Sequence, residues 1–238
     1  HVCGDLFRVY PDPWEEVFME LTFNRLFTYL IPYLLGGISV TLSVSFLALV
    51  IGAVGGLLLA FLRVYGGRAV QVLTTIFSAV FRAIPQTILL LLLYFVIAGS
   101  INISAYWAGT LSLAVISCVY QLEIFRSAIE SVDYGQMMAA RAIGMSHLKA
   151  VFYIILPQAL RRALPSWANE AAGVIKASSL VYIIGVVEIM RLAQYEIARS
   201  RQPFAVYIAV ALIYFACTYL TNFALRKVER RLAIPDIS

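Results

Sequence analysis

Charged residues are scarce in this sequence of 238 residues. It contains 18 Lys and Arg and 13 Asp and Glu, so 13% of its residues are charged, against about a quarter in an average soluble domain. Hydrophobic residues make up 62% of the chain, more than a single soluble core of this length can bury. The composition therefore excludes an ordinary soluble globular protein and indicates an integral membrane protein.

Residues suited to catalysis or metal binding are also few. Besides two His, the chain has Cys3, Cys118 and Cys217, whose spacing matches neither a metal site nor a disulfide framework. No nucleophile with a base and no phosphate-binding glycine loop can be recognised. We therefore expect no catalytic residue, no metal and no cofactor on this chain. Basic cytoplasmic loops explain the net charge of +5 without a nucleic acid partner.

Three long stretches contain no charged residue, namely 26–62, 83–122 and 204–225. A membrane-spanning helix needs about 20 apolar residues, so the second stretch is long enough for parts of two spans. The pattern predicts an all-α membrane protein with about five spans. We place them near residues 34–62, 70–98, 105–127, 164–187 and 204–225.

The ends of the chain and the loops follow from these spans. Residues 1–33 are predicted to be an extracytoplasmic or interfacial segment that contains Trp14 and Phe18, and residues 233–238 a cytoplasmic tail. Residues 99–104 are predicted to form a turn. Lys and Arg favour cytoplasmic loops, which predicts an outer N-terminus and a cytoplasmic C-terminus. The inner loops then hold Arg63, Arg68, Arg141, Lys149, Arg161, Arg162, Arg226, Lys227, Arg230 and Arg231, and the outer loops hold Arg191, Arg199 and Arg201.

A polar segment at residues 134–157 interrupts the apolar pattern. Its first ten residues, YGQMMAARAI, favour a helix, and Gly144 is placed to end that helix in a left-handed conformation. Ser146 is a candidate cap for a second helix, which Pro157 is expected to break. From the residues alone, the segment is either an ordinary amphipathic connector or a docking surface for another protein.

The spacing in this segment resembles the signature of permease subunits of ABC importers. That signature is Glu-Ala-Ala, three residues, Gly, nine residues, Ile, one residue and Leu-Pro. It is matched by Ala139, Ala140, Gly144, Ile154, Leu156 and Pro157, with Met138 in place of the acid. The stretches EIFRSAIESVDYGQ, FRAIPQTILLLLLYF and KASSLVYIIGVVEI resemble the polar amino acid uptake subfamily, and the likeness extends over residues 32–232.

The resemblance implies a type I ABC importer transmembrane domain over residues 34–232, in a prokaryotic plasma membrane. It also implies a coupling helix near residues 134–144 that docks on a cytoplasmic ATPase. Met138 in place of the acid is expected to weaken one polar contact there. The residues expected to take part in coupling are Gly135, Gln136, Met138, Ala139, Ala140, Arg141, Gly144, Leu156 and Pro157.

The same resemblance implies the partners and the solute. An ATPase dimer would bind ATP and Mg, and a second permease subunit, identical or related, would complete the pore. An extracytoplasmic solute-binding protein would deliver a polar amino acid or a similar solute, and membrane lipid would surround the assembly. The alternatives are an ABC permease for another small polar solute, and a channel or membrane enzyme outside the ABC class.

Ionisable residues inside spans are costly, about 2.5–3.5 kcal/mol at the membrane centre, and indicate function or pairing. Glu170, Gly173 and Ala177 share a helix face, since seven residues are nearly two turns. That face either lines a substrate path, with Ser178 beside it, or forms a bond between helices. The resembling subfamily usually has Asp where Ala177 stands. A single acid argues against a dedicated arginine or lysine transporter.

Other polar positions in the spans leave two interpretations open. The Arg82–Pro85 stretch is either a packing kink or a break that turns Arg82 and Gln86 toward a central path. Glu123 and Arg126 are spaced to form an ion pair of structural importance. Lys176 is expected either to extend toward the interface or to pair with an acid on another helix.

Overall fold

The computed structural model describes residues 26–100 and 102–232. Within these ranges the chain is helical apart from short turns, and no strand occurs there. The all-α prediction is confirmed. The proposed N-terminal segment with Trp14 and Phe18, as far as residue 25, and the tail at residues 233–238 lie outside the described residues.

The described part of the chain forms ten α-helices. A π-helical turn at Leu26–Leu30 precedes the first, another at Val151–Ile155 joins α7 to α8, and a 3₁₀ segment at Ser178–Ile184 extends α8. The helices are α1 (Ile31–Leu35), α2 (Ile38–Tyr65), α3 (Arg68–Ala83), α4 (Gln86–Ser100), α5 (Ala105–Glu130), α6 (Tyr134–Ala142), α7 (His147–Ala150), α8 (Leu156–Ala177), α9 (Ile189–Ser200) and α10 (Pro203–Leu232).

Three helical stretches of the described chain are long and apolar enough to cross a membrane, namely Thr28–Tyr65, α5 and α10. Two further pairs qualify when each is taken as one bent span. These are α3 with α4, bent by 113°, and His147–Ile184 with α9, bent by 53°. Three to five spans agree with the prediction of about five.

The bend between α3 and α4 is far sharper than the packing kink considered above. Pro85 has no backbone N–H and disfavours helical geometry at Ile84, whose φ and ψ are −87° and 134°. The chain therefore leaves α3 in an extended conformation and restarts as α4 at Gln86. The turn predicted from residue 99 begins later, because α4 continues through Gly99 and Ser100.

The prediction that Pro157 breaks the second helix is wrong. The helical path runs from His147 to Ile184, and Pro157 lies in the first turn of α8, directly after the π-helical turn. A missing N–H is tolerated best in a first turn. The fourth helix consequently starts well before residue 164. It ends before Gly185, which is left-handed, instead of at Val187.

Helix α5 lies parallel to α2 and close to it. The Tyr106 hydroxyl donates to the Ser43 hydroxyl at 3.0 Å near their N-terminal ends, and Arg63 bonds Glu123 near their C-terminal ends. A Cβ atom on Gly56 would lie 2.9 Å from the backbone of the facing α5. The missing side chain therefore permits this crossing.

Helix α8 runs antiparallel to α5. Trp167 Nε1 donates to Gln121 Oε1 at 2.8 Å. Toward the other end of α8, Val181 lies beside Gly109, near the start of α5. This pairing brings the polar residues in the middle of α8 to face the middle of α5.

Candidate functional site: a polar cavity and an exposed coupling surface

Glu123 on α5 joins three arginines from three helices. Its carboxylate lies 2.6 Å from Arg63 on α2, 3.1 Å from Arg126 on α5 and 3.6 Å from Arg82 on α3. The Ser78 hydroxyl of α3 donates to the same carboxylate. The expected Glu123–Arg126 pair is therefore present, within a cluster that ties α2, α3 and α5 together.

Arg82 is placed in this cluster and does not line the cavity described next. Its side chain is 44% exposed and approaches Glu123, which accounts for its charge without a substrate path. From the sequence, Arg82 and Gln86 were expected to face the same path, because both flank Pro85. The sharp bend instead directs Arg82 to the Glu123 cluster and Gln86 to the cavity wall.

A cavity of about 370 Å³ lies where α4, α5, α8 and the 3₁₀ segment meet. This volume falls within the ~300–1,000 Å³ of small-molecule pockets. Its walls are partly apolar and partly polar. They are formed by Gln86, Leu113, Ile116, Ser117, Tyr120, Glu170, Gly173, Val174, Lys176, Ala177, Ser179 and Leu180.

Glu170 both lines the cavity and bonds to the neighbouring helix. Its Oε1 accepts from the Ser117 hydroxyl of α5 at 2.9 Å, and Ser117 in turn accepts from Gln121 at 2.9 Å. The bond between helices is therefore present, and the same side chain also faces the cavity. Gly173 and Ala177 lie on the same wall, as their spacing predicts.

Lys176 lines the cavity together with Glu170, and it forms no ion pair with any described residue. The cavity therefore presents one carboxyl and one amino side chain that are not bound to each other. Of the two interpretations of Lys176, pairing with an acid on another helix is not found among the described residues. Such an arrangement suits a ligand that carries both charges.

Ser178 is not in the cavity wall, contrary to the sequence expectation. Its side chain is fully buried and donates to the Ile175 carbonyl at 2.7 Å, while Ser179 lines the cavity in its place. Ser178 was expected in this wall from the resemblance of the KASSLVYIIGVVEI stretch to the subfamily. Of its two serines, Ser179 reaches the cavity, in the 3₁₀ segment that follows α8.

The coupling segment forms the predicted short helix, α6, and both of its ends are capped. Asp133 accepts a hydrogen bond from the Gly135 N–H at 2.6 Å. At the other end Gly144 has φ +85°, its N–H donates to the Arg141 carbonyl, and the Met145 N–H donates to the Ala140 carbonyl. These two bonds form a Schellman ending, which confirms the predicted glycine stop. The Asp133 cap was missed by the sequence reasoning, although Asp before a helix is a recognisable signal.

The outer face of this segment is exposed and largely apolar. Met138 is 58% exposed, whereas Ala140 is only 1% exposed and packs against the rest of the chain. Ala140 is therefore placed for packing, and a direct contact with a partner is not available to it. Leu156 is half-buried, and the other residues predicted to take part in coupling are exposed, namely Gly135, Gln136, Ala139, Arg141, Gly144 and Pro157.

Residues 134–153 contain further exposed apolar side chains, which the sequence reasoning did not select. They are Tyr134, Ile143, Leu148, Phe152 and Tyr153. Large apolar side chains exposed in such number are typical of a site that interacts with protein or membrane. The Ser146 cap at the start of α7 is present, since its hydroxyl accepts from the Lys149 N–H at 3.4 Å.

Comparison with known proteins gives a consistent result. Residues 52–234 match the family model described as "Binding-protein-dependent transport system inner membrane component". The glutamine transport system permease protein GlnP of Escherichia coli K12 is 36% identical over 207 residues, covering 86% of this chain and 94% of the relative. The octopine transport system permease protein OccQ of Rhizobium radiobacter is 34% identical, with coverages of 81% and 87%.

A solved structure supports the fold. The crystal structure of an amino acid ABC transporter with histidines superimposes with a TM-score of 0.76 and 33% sequence identity. The match covers 92% of this chain and 98% of that chain. The similarity therefore extends through the helices that enclose the cavity and through α6.

Proposed function

Because the chain belongs to the family of inner membrane components of binding-protein-dependent transport systems, we propose that it is the permease subunit of an ATP-driven importer of a polar amino acid. The observation that supports this most directly is the cavity in which Glu170 and Lys176 are both present and unpaired with each other. An α-amino acid has an ammonium group for the first and a carboxylate for the second.

The cavity also favours a neutral side chain on the solute. With Ala177 in the wall, Glu170 is the single acid among the lining residues. A cationic side chain would need a second carboxylate, since an unpaired charge away from water is strongly unfavourable. Gln86 instead offers an amide group to a polar, uncharged side chain. The Ser117 and Ser179 hydroxyls, which donate to Glu170 and to the Lys176 carbonyl, offer it acceptor oxygens.

The exposed surface of α6 is the docking site proposed for a cytoplasmic ATPase dimer, which would bind ATP and Mg. A short helix capped at both ends presents Met138 and its exposed neighbours in a defined geometry. In this arrangement ATP-driven closure of the ATPases moves the coupling helices, and hence the helices around the cavity. A second permease subunit and an extracytoplasmic solute-binding protein complete the assembly.

The order of the helices supports an orientation with α6 in the cytoplasm. Helix α10 runs parallel to α2, because Val206 packs in one cluster with Leu34, and Thr221 lines the same small cavity as Leu49. Helices α2, α5 and α10 therefore all run toward the side of the molecule that holds α6. The basic residues that end α10 lie on this side, as the positive-inside rule requires.

The test is uptake of labelled amino acids into proteoliposomes that contain this chain, its ATPase and its solute-binding protein. Uptake of a neutral polar amino acid should require ATP and each protein. Uptake that needs no ATP would indicate a channel. An ATP-dependent assembly that takes up no amino acid would indicate a permease for another solute. The first outcome contradicts the ATP-driven mechanism, and the second contradicts the amino acid substrate.

The two charged side chains of the cavity can be tested separately. Glu170→Gln and Lys176→Met should each raise the KM for uptake by at least about tenfold, since one charge-assisted hydrogen bond is lost. Glu130→Gln and Lys227→Met are the matched controls, because these residues are exposed and lie outside both the cavity and the exposed surface of α6. An unchanged KM in both cavity variants would exclude the cavity as the solute site.

A further inference from the structure

Glu188 is a fully buried acid (0% exposed) in the turn between the 3₁₀ segment and α9. No described Lys, Arg or His forms an ion pair with it. Four hydrogen bonds satisfy its carboxylate instead. The donors are the Met190 N–H at 2.9 Å, the Arg191 N–H at 3.0 Å, the Tyr214 hydroxyl at 2.8 Å and the Thr41 hydroxyl at 3.4 Å.

Two of these four bonds are more than a helix cap requires. The bonds from Met190 and Arg191 are those of an ordinary N-cap at the start of α9. The bonds from Thr41 and Tyr214 come from α2 and α10, so the carboxylate joins three helices. Gly37 permits this, because a Cβ atom there would lie 2.5 Å from the Ile189 nitrogen.

The same turn is directly connected to the cavity. The 3₁₀ segment that precedes it contributes Ser179 and Leu180 to the cavity wall. At the end of this segment the Val186 N–H donates to the Val181 carbonyl at 3.3 Å, and the Glu188 N–H donates to the Val186 carbonyl at 3.1 Å. Tyr214 of α10, which bonds the Glu188 carboxylate, is therefore connected to this wall through Glu188.

We propose that Glu188, Tyr214 and Thr41 form a buried clasp that positions the 3₁₀ wall of the cavity. Glu188 is then a positioning residue that acts on solute affinity through Ser179 and Leu180 without touching the solute. The effect on transport rests on the function proposed above, because the cavity must be the solute site. The effect on the wall itself does not depend on that function.

The Glu188→Asp variant removes the clasp bonds and keeps the helix cap, so it tests the two roles of Glu188 separately. Aspartate is a good N-cap, but its side chain is one methylene shorter and loses its reach to Tyr214 and Thr41. In the complete transporter, Glu188→Asp and Tyr214→Phe should each raise the KM for uptake about three- to tenfold. The maximal rate, the amount of protein in the membrane and the ATPase rate without solute should stay near those of the unmodified transporter. The double variant should be no worse than the more severe single variant, because both changes break the same bond.

A second measurement tests the clasp without any solute. Amide hydrogen exchange over residues 178–184 of the assembled transporter should be faster in Glu188→Asp and Tyr214→Phe, because the wall loses an anchor. Glu196→Gln is the matched control. Glu196 is the other buried acid of α9, at 6% exposed, but its partner is Arg199 on the same helix. This control should change neither the KM nor the exchange.

Three results would overturn the clasp. They are normal exchange and KM in Glu188→Asp, additive effects in the double variant, and equal acceleration by Glu196→Gln. If the unmodified transporter takes up no amino acid, the proposed function fails, and the exchange measurement still decides whether Glu188 and Tyr214 hold this wall.

Discussion

Replacing Gly144 with alanine tests whether the end of α6, the proposed coupling helix, is held by backbone conformation. Gly144 has φ +85°, and the Schellman bonds around it measure 3.0 Å from its N–H to the Arg141 carbonyl and 3.1 Å from the Met145 N–H to the Ala140 carbonyl. No atom lies within 4 Å of the position that a Cβ would occupy. Within this chain, the free-energy cost of a side chain at position 144 therefore comes from the left-handed backbone conformation and not from a steric clash.

The magnitude follows from that distinction. A left-handed conformation costs an ordinary L-residue about 1–2 kcal/mol, and this lowers the population of the native ending roughly 5–30-fold relative to competing conformations. Asparagine tolerates the left-handed region better, so Gly144→Asn should be milder. Because the space around the Cβ is open, Gly144→Leu should resemble Gly144→Ala.

The assay is the ratio of solute transported to ATP hydrolysed in proteoliposomes, with the amount of each protein measured. Gly144→Ala should lower this ratio severalfold or more while the chain remains inserted in the membrane. A normal ratio in Gly144→Ala, or equal defects in Gly144→Ala and Gly144→Asn, would refute the conformational reasoning. A much larger defect in Gly144→Leu would show that the partner contacts this position directly.

Three other substitutions test the remaining features. Glu123→Gln should lower the stability of the detergent-solubilised chain by about 1–3 kcal/mol, because three arginines lose their shared anion, whereas the more exposed Glu130→Gln should have little effect on the melting temperature. Gly56→Ala should also lower the stability of the solubilised chain by about 1–3 kcal/mol, because the added methyl overpacks against α5. Gly99→Ala is the control, since no atom lies within 4 Å of the Cβ position there, and an equal effect in this variant would contradict the prediction. Asp133→Ala should destabilise the start of α6 by about 1 kcal/mol and lower the transport-to-ATP ratio, and Asp133→Ser, which keeps a cap, should restore it.

Much of the fold was predictable because the membrane imposes a strong length rule on apolar segments. The uncharged runs located the three long spanning helices and the bent pair at Pro85. Local chemistry likewise predicted the left-handed Gly144 and the Ser146 cap. The wrong prediction at Pro157 also came from a local rule. That rule predicts that proline breaks a helix, but Pro157 lies in a first turn, directly after a π-helical turn, where proline is tolerated.

The candidate site was predictable only in part. Helical periodicity correctly placed Glu170, Gly173 and Ala177 on one face, and all three line the cavity. Periodicity did not cover Ser178, which was selected from the family resemblance and is buried with its hydroxyl on the Ile175 carbonyl. It also gave no sign that Lys176 faces the same cavity without an acidic partner among the described residues.

By itself, the sequence determined which segments are apolar enough to span a membrane, where the polar segment at residues 134–157 lies and which residues share a helix face, because these depend on composition and on a repeat of a few residues. Only the tertiary structure decided which faces meet. Thr41 and Glu188 are 147 positions apart, and Arg63 and Glu123 are 60 apart. No local period relates such pairs. They are brought together by the close packing of whole helices, and the cavity wall, the arginine cluster and the Glu188 clasp all depend on that packing.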